Sequence, residues 1–337
     1  MNKIHHYHPQ TRFLWKGRID DLNDADSYRW HQLVEYIDLN LDTIPPLADE
    51  YTGICFLGFC CDIGVKKNLG RTGASKAPLA IRKELANLPR SFDDSLRIFD
   101  AGDIVDSNAS LAQLQKTLSI LVKRILELKM FPIILGGGHE VAFGHYNGLR
   151  SFLIQEKREL NLGIVNLDAH FDLRPYTTGT NSGTMFRQIA DLCVENKEKF
   201  NYLVAGVQKT GNTINLFKKA DELNVTYILA KNIDDHTLNQ VKETIDKFIG
   251  QRDYIYLTLC SDVISSAYAP GVSATQPFGL HPEVVLSLIK HVIKSGKLIS
   301  FDIAEISPRF DDDNQTAKLG AIIIFALVNE IFGLKRM

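Results

Sequence analysis

Leu162-Gly163-Ile164-Val165-Asn166-Leu167-Asp168-Ala169-His170-Phe171-Asp172 is the stretch from which the fold is read. Its apolar first half, Leu162-Gly163-Ile164-Val165, reads as a strand covered on both faces, the kind found inside parallel sheets. On an extended chain, Asp168, His170 and Asp172 stand at i, i+2 and i+4 and share a face. Two carboxylates and an imidazole at the C-terminal end of such a strand offer hard donors to Mn²⁺, Fe²⁺ or Zn²⁺. A charged strand-to-loop transition would look the same in isolation, so the surrounding chain has to decide.

Working outward, apolar runs of strand length recur with helical patterns between them. They are residues 54–59, 97–102, 131–135, 202–207, 225–229, 254–260 and 298–304, which with 162–165 make eight strands. Between residues 110 and 129, Leu111, Leu114, Leu118, Leu121 and Ile125 follow helical spacing. Pro78 opens another helix, and a closing helix spans about residues 316–332. Alternating strands and helices imply parallel strands with right-handed crossovers. The expectation is an α/β fold with an eight-stranded, mostly parallel sheet, which a barrel would satisfy equally on strand count. Residues 1–50 read as an N-terminal arm, mobile around His5, His6 and His8 but packed down at Trp15 and Trp30. Residues 51–337 read as one catalytic domain.

The chain has 337 residues, 45% of them hydrophobic, and a net charge of −2, enough apolar material for a large core. A balance this close to neutral points away from nucleic acid and from anionic membranes. Cys55, Cys60, Cys61, Cys193 and Cys260 are odd in number and irregularly spaced, which fits free thiols in a reducing cytoplasm. No apolar leader stands at the N-terminus, and no apolar run approaches the length of a membrane span.

Ligands of parallel α/β sheets bind beyond the strands' C-terminal ends. Here four strands end in polar groups: Gly136-Gly137-Gly138-His139 after the third, Asp168 to Asp172 after the fourth, Cys260-Ser261-Asp262 after the seventh and Ala304-Glu305 after the eighth. Each has a plain reading too: His139 as a helix-start residue, Glu305 as half of a salt bridge. The loop Asn68 to Ala74 is glycine-rich but lacks the lysine of a P-loop.

Taken in this order, Gly136-Gly137-Gly138-His139-Glu140, Asp168-Ala169-His170-Phe171-Asp172, Cys260-Ser261-Asp262-Val263, Ala269-Pro270-Gly271-Val272-Ser273 and Ala304-Glu305-Ile306-Ser307-Pro308 resemble the ureohydrolase superfamily of arginases and agmatinases. The resemblance covers about residues 50–335. Leu173-Arg174, the run Ser182-Gly183-Thr184-Met185-Phe186-Arg187-Gln188, the early Leu14-Trp15-Lys16-Gly17-Arg18 and the loop Asn68 to Ala74 are most similar to its formimidoylglutamase branch.

The resemblance implies an open three-layer α/β/α sandwich rather than a barrel. It implies hydrolysis of the amidine C–N bond of N-formimidoyl-L-glutamate, two Mn²⁺ per chain, a small-molecule substrate and a homo-oligomer. One Mn²⁺ would take His139, Asp168 and Asp172, the other His170, Asp168 and Asp262. Asp172 would orient the attacking water, and Glu305 would pair with the cationic amidine. Arg174 would clamp a substrate carboxylate, with Ser182, Thr184 and Arg187 as further polar contacts. Arginases carry a histidine in the region that corresponds to 181–187, and this chain has none. The family places a second bridging aspartate where this chain has Cys260. A thiol suits Mn²⁺ poorly, so one metal position is expected to fill and the other to be weak. A guanidino-substrate hydrolase and a non-catalytic relative remain as alternatives, the second because of Cys260.

Overall fold

The computed structural model describes residues 3–9, 14–41, 43–105, 108–156 and 160–334. Among the described residues, ten strands form one sheet: β1 (Tyr7–His8), β2 (Glu35–Tyr36), β3 (Thr52–Cys60), β4 (Leu96–Val105), β5 (Met130–Leu135), β6 (Leu162–Leu167), β7 (Tyr202–Val207), β8 (Thr226–Leu229), β9 (Tyr254–Cys260) and β10 (Leu298–Ala304). Their order across the sheet is β1-β4-β3-β5-β10-β9-β6-β7-β8, with β2 also on β4. Every pairing is parallel except β1 on β4. The expected eight strands are all present. The two additional ones are two-residue strands from the N-terminal segment, too short to leave an apolar pattern.

The N-terminal segment joins the fold at several of its described residues, among them Trp15 and Trp30. Tyr7 is buried and its hydroxyl donates to the Ala101 carbonyl at 2.6 Å. Trp30 lies on a short helix, α1 (Trp30–Leu33), and is fully buried with its ring 6.2 Å from that of Phe56. Trp15 donates its indole N–H to Asp100 Oδ2 at 2.6 Å. That carboxylate also receives the Arg82 guanidinium, at 2.7 and 2.9 Å, while the third nitrogen reaches Asp103 at 2.6 Å. Both Arg82 and Asp100 are wholly buried.

Helices cover both faces. After α2 (Ile63–Lys67) come α3 (Ala77–Ala86), α4 (Leu111–Glu127), α5 (Val141–Gln155), α6 (Met185–Glu195), α7 (Ile214–Glu222), α8 (Leu238–Gly250), α9 (Pro282–Lys294) and α10 (Gln315–Leu334). Helices α3, α8, α9 and α10 pack on one face, against Val165, Leu167, Leu257, Leu259, Phe301 and Ile303. Helices α4, α5, α6 and α7 pack on the other, against Ile164, Tyr256 and Ala304. This is the three-layer arrangement and not a barrel. A capping box opens α4: the Ser110 hydroxyl accepts from Gln113 N while the Gln113 side chain accepts from Ser110 N at 2.8 Å.

Helix α10 corrects one expectation. Its 20 residues have a mean hydropathy of 1.8 over their most apolar window, enough to cross a membrane by length and composition. In this fold that apolar surface is core, since Ala317, Ile324, Leu327 and Val328 are buried against the sheet and its neighbours.

Candidate active site

Strands β5, β10, β9 and β6 are neighbours at the middle of the sheet. The chain passes from β5 directly to β6, but β10 and β9 lie between them. Such a reversal opens a crevice at the strands' C-terminal ends, and all four polar strand ends converge there. The cavity is about 310 Å³, and its lining includes His139, His170, Asp172, Arg174, Cys260, Asp262 and Glu305.

The glycines before His139 let backbones touch. A Cβ on Gly137 would stand 1.8 Å from the Cys61 carbonyl oxygen. In the space so left, Glu305 N donates to the Gly137 carbonyl at 2.8 Å, and His139 N donates to Glu305 Oε1 at 2.9 Å. Glu305 adopts φ +66°. Among the described residues it makes no salt bridge to an arginine. Burial, reinforced by the nearby Glu140, raises its carboxyl to about 8.

The convergence after β6 has a different cause from simple strand alternation. The strand ends at Leu167, and Asp168 to Asp172 curl away from extended geometry. Asp168 Oδ1 accepts the His170 backbone N–H at 2.7 Å, which bends the chain over its own carboxylate. Asn212 clips the curl from outside, accepting from Phe171 N at 3.0 Å and donating to the Ala169 carbonyl at 2.9 Å. Asp172 takes φ +49° and turns inward. Likewise β9 stops at Cys260, and a 3₁₀ turn over Ser261–Val263 carries Asp262 back toward His170.

The resulting cluster is dense. His139 Nδ1 lies 2.9 Å from Asp168 Oδ2 and 3.3 Å from Asp172 Oδ2. His170 Nδ1 lies 3.1 Å from Asp262 Oδ2 and 3.4 Å from Asp168 Oδ1. Burial works against charge on both imidazoles, yet the carboxylates beside them outweigh it and hold both well above the ordinary histidine range. Burial likewise disfavours the Asp168 carboxylate, but His139 and His170 hold it below its usual range. His139 Nδ1 faces the Asp168 and Asp172 carboxylates without hydrogen-bond geometry, and Asp262 Oδ1 is buried with no hydrogen-bond partner among the described residues. The donor atoms fall into two sets, His139–Asp168–Cys260 and Asp168–His170–Asp262, within which all atoms lie within 4.8 Å of one another. Asp168 belongs to both.

A family model described as the arginase family matches residues 52–329. The chain belongs to the arginase family. It is 50% identical over 326 residues to a formimidoylglutamase of Clostridium tetani (strain Massachusetts / E88), covering 96% of each protein. The crystal structure of formimidoylglutamase from Bacillus subtilis subsp. subtilis str. 168 superposes with a TM-score of 0.78 at 20% identity, over 93% of this chain and 94% of that one. Trypanosoma cruzi formiminoglutamase, solved with Mn²⁺, matches with a TM-score of 0.71 at 21% identity, over 83% and 94%. At these identities the two structures speak for the fold.

Arginase-family enzymes are metal-dependent, and the residues here fit divalent cations. The donors are carboxylate oxygens and imidazole nitrogens with one thiol, and two of the buried atoms, His139 Nδ1 and Asp262 Oδ1, make no hydrogen bond among the described residues. The expected set of His139, Asp168 and Asp172 meets at His139 Nδ1, with Cys260 joining His139 and Asp168 in a further candidate set, while Asp172 Oδ1 is held by Arg174 Nη1 at 3.1 Å.

Two expected substrate contacts of this arginase-family site are displaced. Thr184 is fully buried, and its hydroxyl is used up locally. It donates to the Asn181 carbonyl and accepts from Asn181 N and Gln188 Nε2, each at 2.9 Å. Arg187 pairs with Asp191 one helical turn on, both contacts at 3.1 Å, and does not line the cavity. Ser182 does line it, and its hydroxyl receives Asn68 Nδ2 at 3.3 Å. Arg71 and Ser273 also reach the wall and were missed; Arg71 N donates to Ser273 Oγ at 2.8 Å.

Missed as well was a buried chain behind His139. Thr258 Oγ1 donates to Asp302 Oδ1 at 2.6 Å, so its one proton is committed there. His139 Nε2, 2.9 Å from the same hydroxyl, must then be the donor, which leaves Nδ1 facing the cluster. Asp302 Oδ2 meanwhile takes Tyr256 OH and His145 Nδ1. The visible signal was an acidic residue inside the apolar run Phe301-Asp302-Ile303. Asp302→Asn, which puts an amide where acceptors are needed, is expected to weaken metal binding by about 10–100-fold. Equilibrium dialysis checks it, and unchanged affinity would make the chain merely structural.

Proposed function

We propose that this arginase-family chain hydrolyses N-formimidoyl-L-glutamate to L-glutamate and formamide, with a pair of divalent cations, Mn²⁺ among them. The observation that carries the substrate is the 50% identity to a curated formimidoylglutamase across nearly the whole of both chains. We assign catalysis to residues 51–337, with 1–50 as an extension, and place the enzyme in the cytoplasm as a homo-oligomer.

When bound, the cations supply the positive charge that lets water ionise near neutral pH. The chain's own residues do the rest. Asp172, turned into the cavity, accepts a hydrogen bond from the attacking water and aims it. Glu305 stands where the cationic amidine enters, and a charge-assisted hydrogen bond there restores the ionised carboxylate that burial disfavours. Water adds to the formimidoyl carbon, the bond to the glutamate nitrogen breaks, and the proton removed from water ends on that amine.

Arg174 is the specificity element. It lies over Gly183, where a Cβ would stand 2.4 Å from Nη1, and its backbone N–H donates to the Gly183 carbonyl at 3.0 Å. Asp172 occupies Nη1, and Arg174 is part of the cavity wall, where the rest of its planar fork would clamp a substrate carboxylate. Arg174→Lys keeps the charge but loses the fork. Hydrogen bonds to charged groups are worth about 1.5–3 kcal/mol, so KM for formimidoylglutamate is expected to rise about tenfold or more. Steady-state kinetics decides this, and unchanged kcat and KM would remove Arg174 from substrate binding.

A further inference from the structure

Cys260 is the one donor that departs from the family's pattern, and its position in β9 says what it does. Leu257 and Leu259 point into the core beneath α8 and α9. Tyr256, Thr258 and Cys260 alternate onto the opposite face. The first two donate to Asp302. Cys260 is the next rung of that polar column, 2% exposed and part of the cavity wall. It does not serve as a small apolar core residue. Its sulfur lies within 4.8 Å of a His139 ring nitrogen and an Asp168 oxygen. His139 Nδ1 is itself buried and faces Asp168 Oδ2 at 2.9 Å without hydrogen-bond geometry. The other triple, Asp168, His170 and Asp262, contains nitrogen and oxygen only.

We propose that Cys260 ligates the cation on the His139 side as a thiolate, so that the two metal positions differ in softness. The position built from His139, Asp168 and Cys260 prefers a borderline ion such as Co²⁺ or Zn²⁺, while the one built from Asp168, His170 and Asp262 accepts Mn²⁺. The inference rests on the reading of the chain as a metal-dependent hydrolase. On binding, the thiol gives its proton to solvent and the sulfur lone pair forms the metal bond. The thiolate then restores the negative charge that the absent carboxylate would have carried.

The test uses the full chain loaded with Co²⁺ alone. Wild type should show a sulfur-to-cobalt charge-transfer band in the near ultraviolet. Cys260→Ser should lose the band while Co²⁺ stays bound at the Asp262 side, and Cys60→Ser should keep it. With Mn²⁺ alone, Cys260→Asp should raise the bound metal toward two per chain. Circular dichroism confirms that each variant is folded. A wild type holding a pair of Co²⁺ without the band, or a band that survives Cys260→Ser, overturns the inference. Formamide release is followed on the Co²⁺-loaded samples. Hydrolysis without the band sinks the ligand assignment alone, and a band without hydrolysis sinks the substrate reading alone. No uptake of Co²⁺ sinks both.

Discussion

Asp168→Asn should empty the metal centre and lower kcat/KM by roughly three orders of magnitude or more, about 4 kcal/mol of lost transition-state stabilisation. Asp168 is the only residue that belongs to both donor triples. It is fully buried, and each oxygen has an appointed place: Oδ1 accepts the His170 N–H, and Oδ2 accepts from Asn166 Nδ2 at 3.1 Å. The substitution preserves shape, so the curl of residues 168–172 should survive. What it removes is the charge shared by both positions, and it turns an NH₂ toward groups that already donate. Metal analysis alongside kinetics checks the claim. A variant that keeps two cations and wild-type turnover would show that Asp168 is not the bridge.

Arg82→Ala should cost about 3–5 kcal/mol of folding stability, the range for removing one partner of a buried ion pair. The guanidinium is sealed between α3 and β4, holding Asp100 with two nitrogens, Asp103 with another, and the Gly102 carbonyl at 2.9 Å. Its loss strands the Asp100 carboxylate in the core with the Trp15 indole and the Gly102 amide as donors. The N-terminal segment should loosen with it, since Trp15 is tied to the same carboxylate. Arg82→Met with Asp100→Leu should recover much of the loss, because an apolar pair leaves no buried charge. Urea denaturation measures both. A single-variant loss below about 1 kcal/mol would mean that water reaches Asp100.

Much of this was legible in the chain because parallel sheets announce themselves. β6, β9 and β10 are covered on both faces and read as largely apolar runs, and their polar exits mark the crevice. Asp168, His170, Asp262, His139 and Glu305 were identified from those exits. The reason given for their convergence was only partly right. Strand alternation was invoked for Asp168 to Asp172, but the curl depends on Asn212, forty residues further on, which no local pattern reveals. β1 and β2 were missed because two-residue strands carry no periodicity. Thr184 and Arg187 were placed in the site by a motif, whereas their partners Gln188 and Asp191 lie one turn along α6 and hold them elsewhere. Asp302 and His145 went unnoticed because long-range hydrogen bonds, of 157 residues' separation here, leave no mark on spacing.

The most direct measurement is product analysis with the metal-loaded full chain. N-formimidoyl-L-glutamate, arginine, agmatine and guanidinobutyrate are supplied side by side, before and after chelation. The account predicts formamide and L-glutamate in equal amounts from the first substrate, loss of that activity on chelation and no urea from the other three. Urea from a guanidino substrate at comparable kcat/KM, or formamide release that survives complete removal of metal, would contradict it.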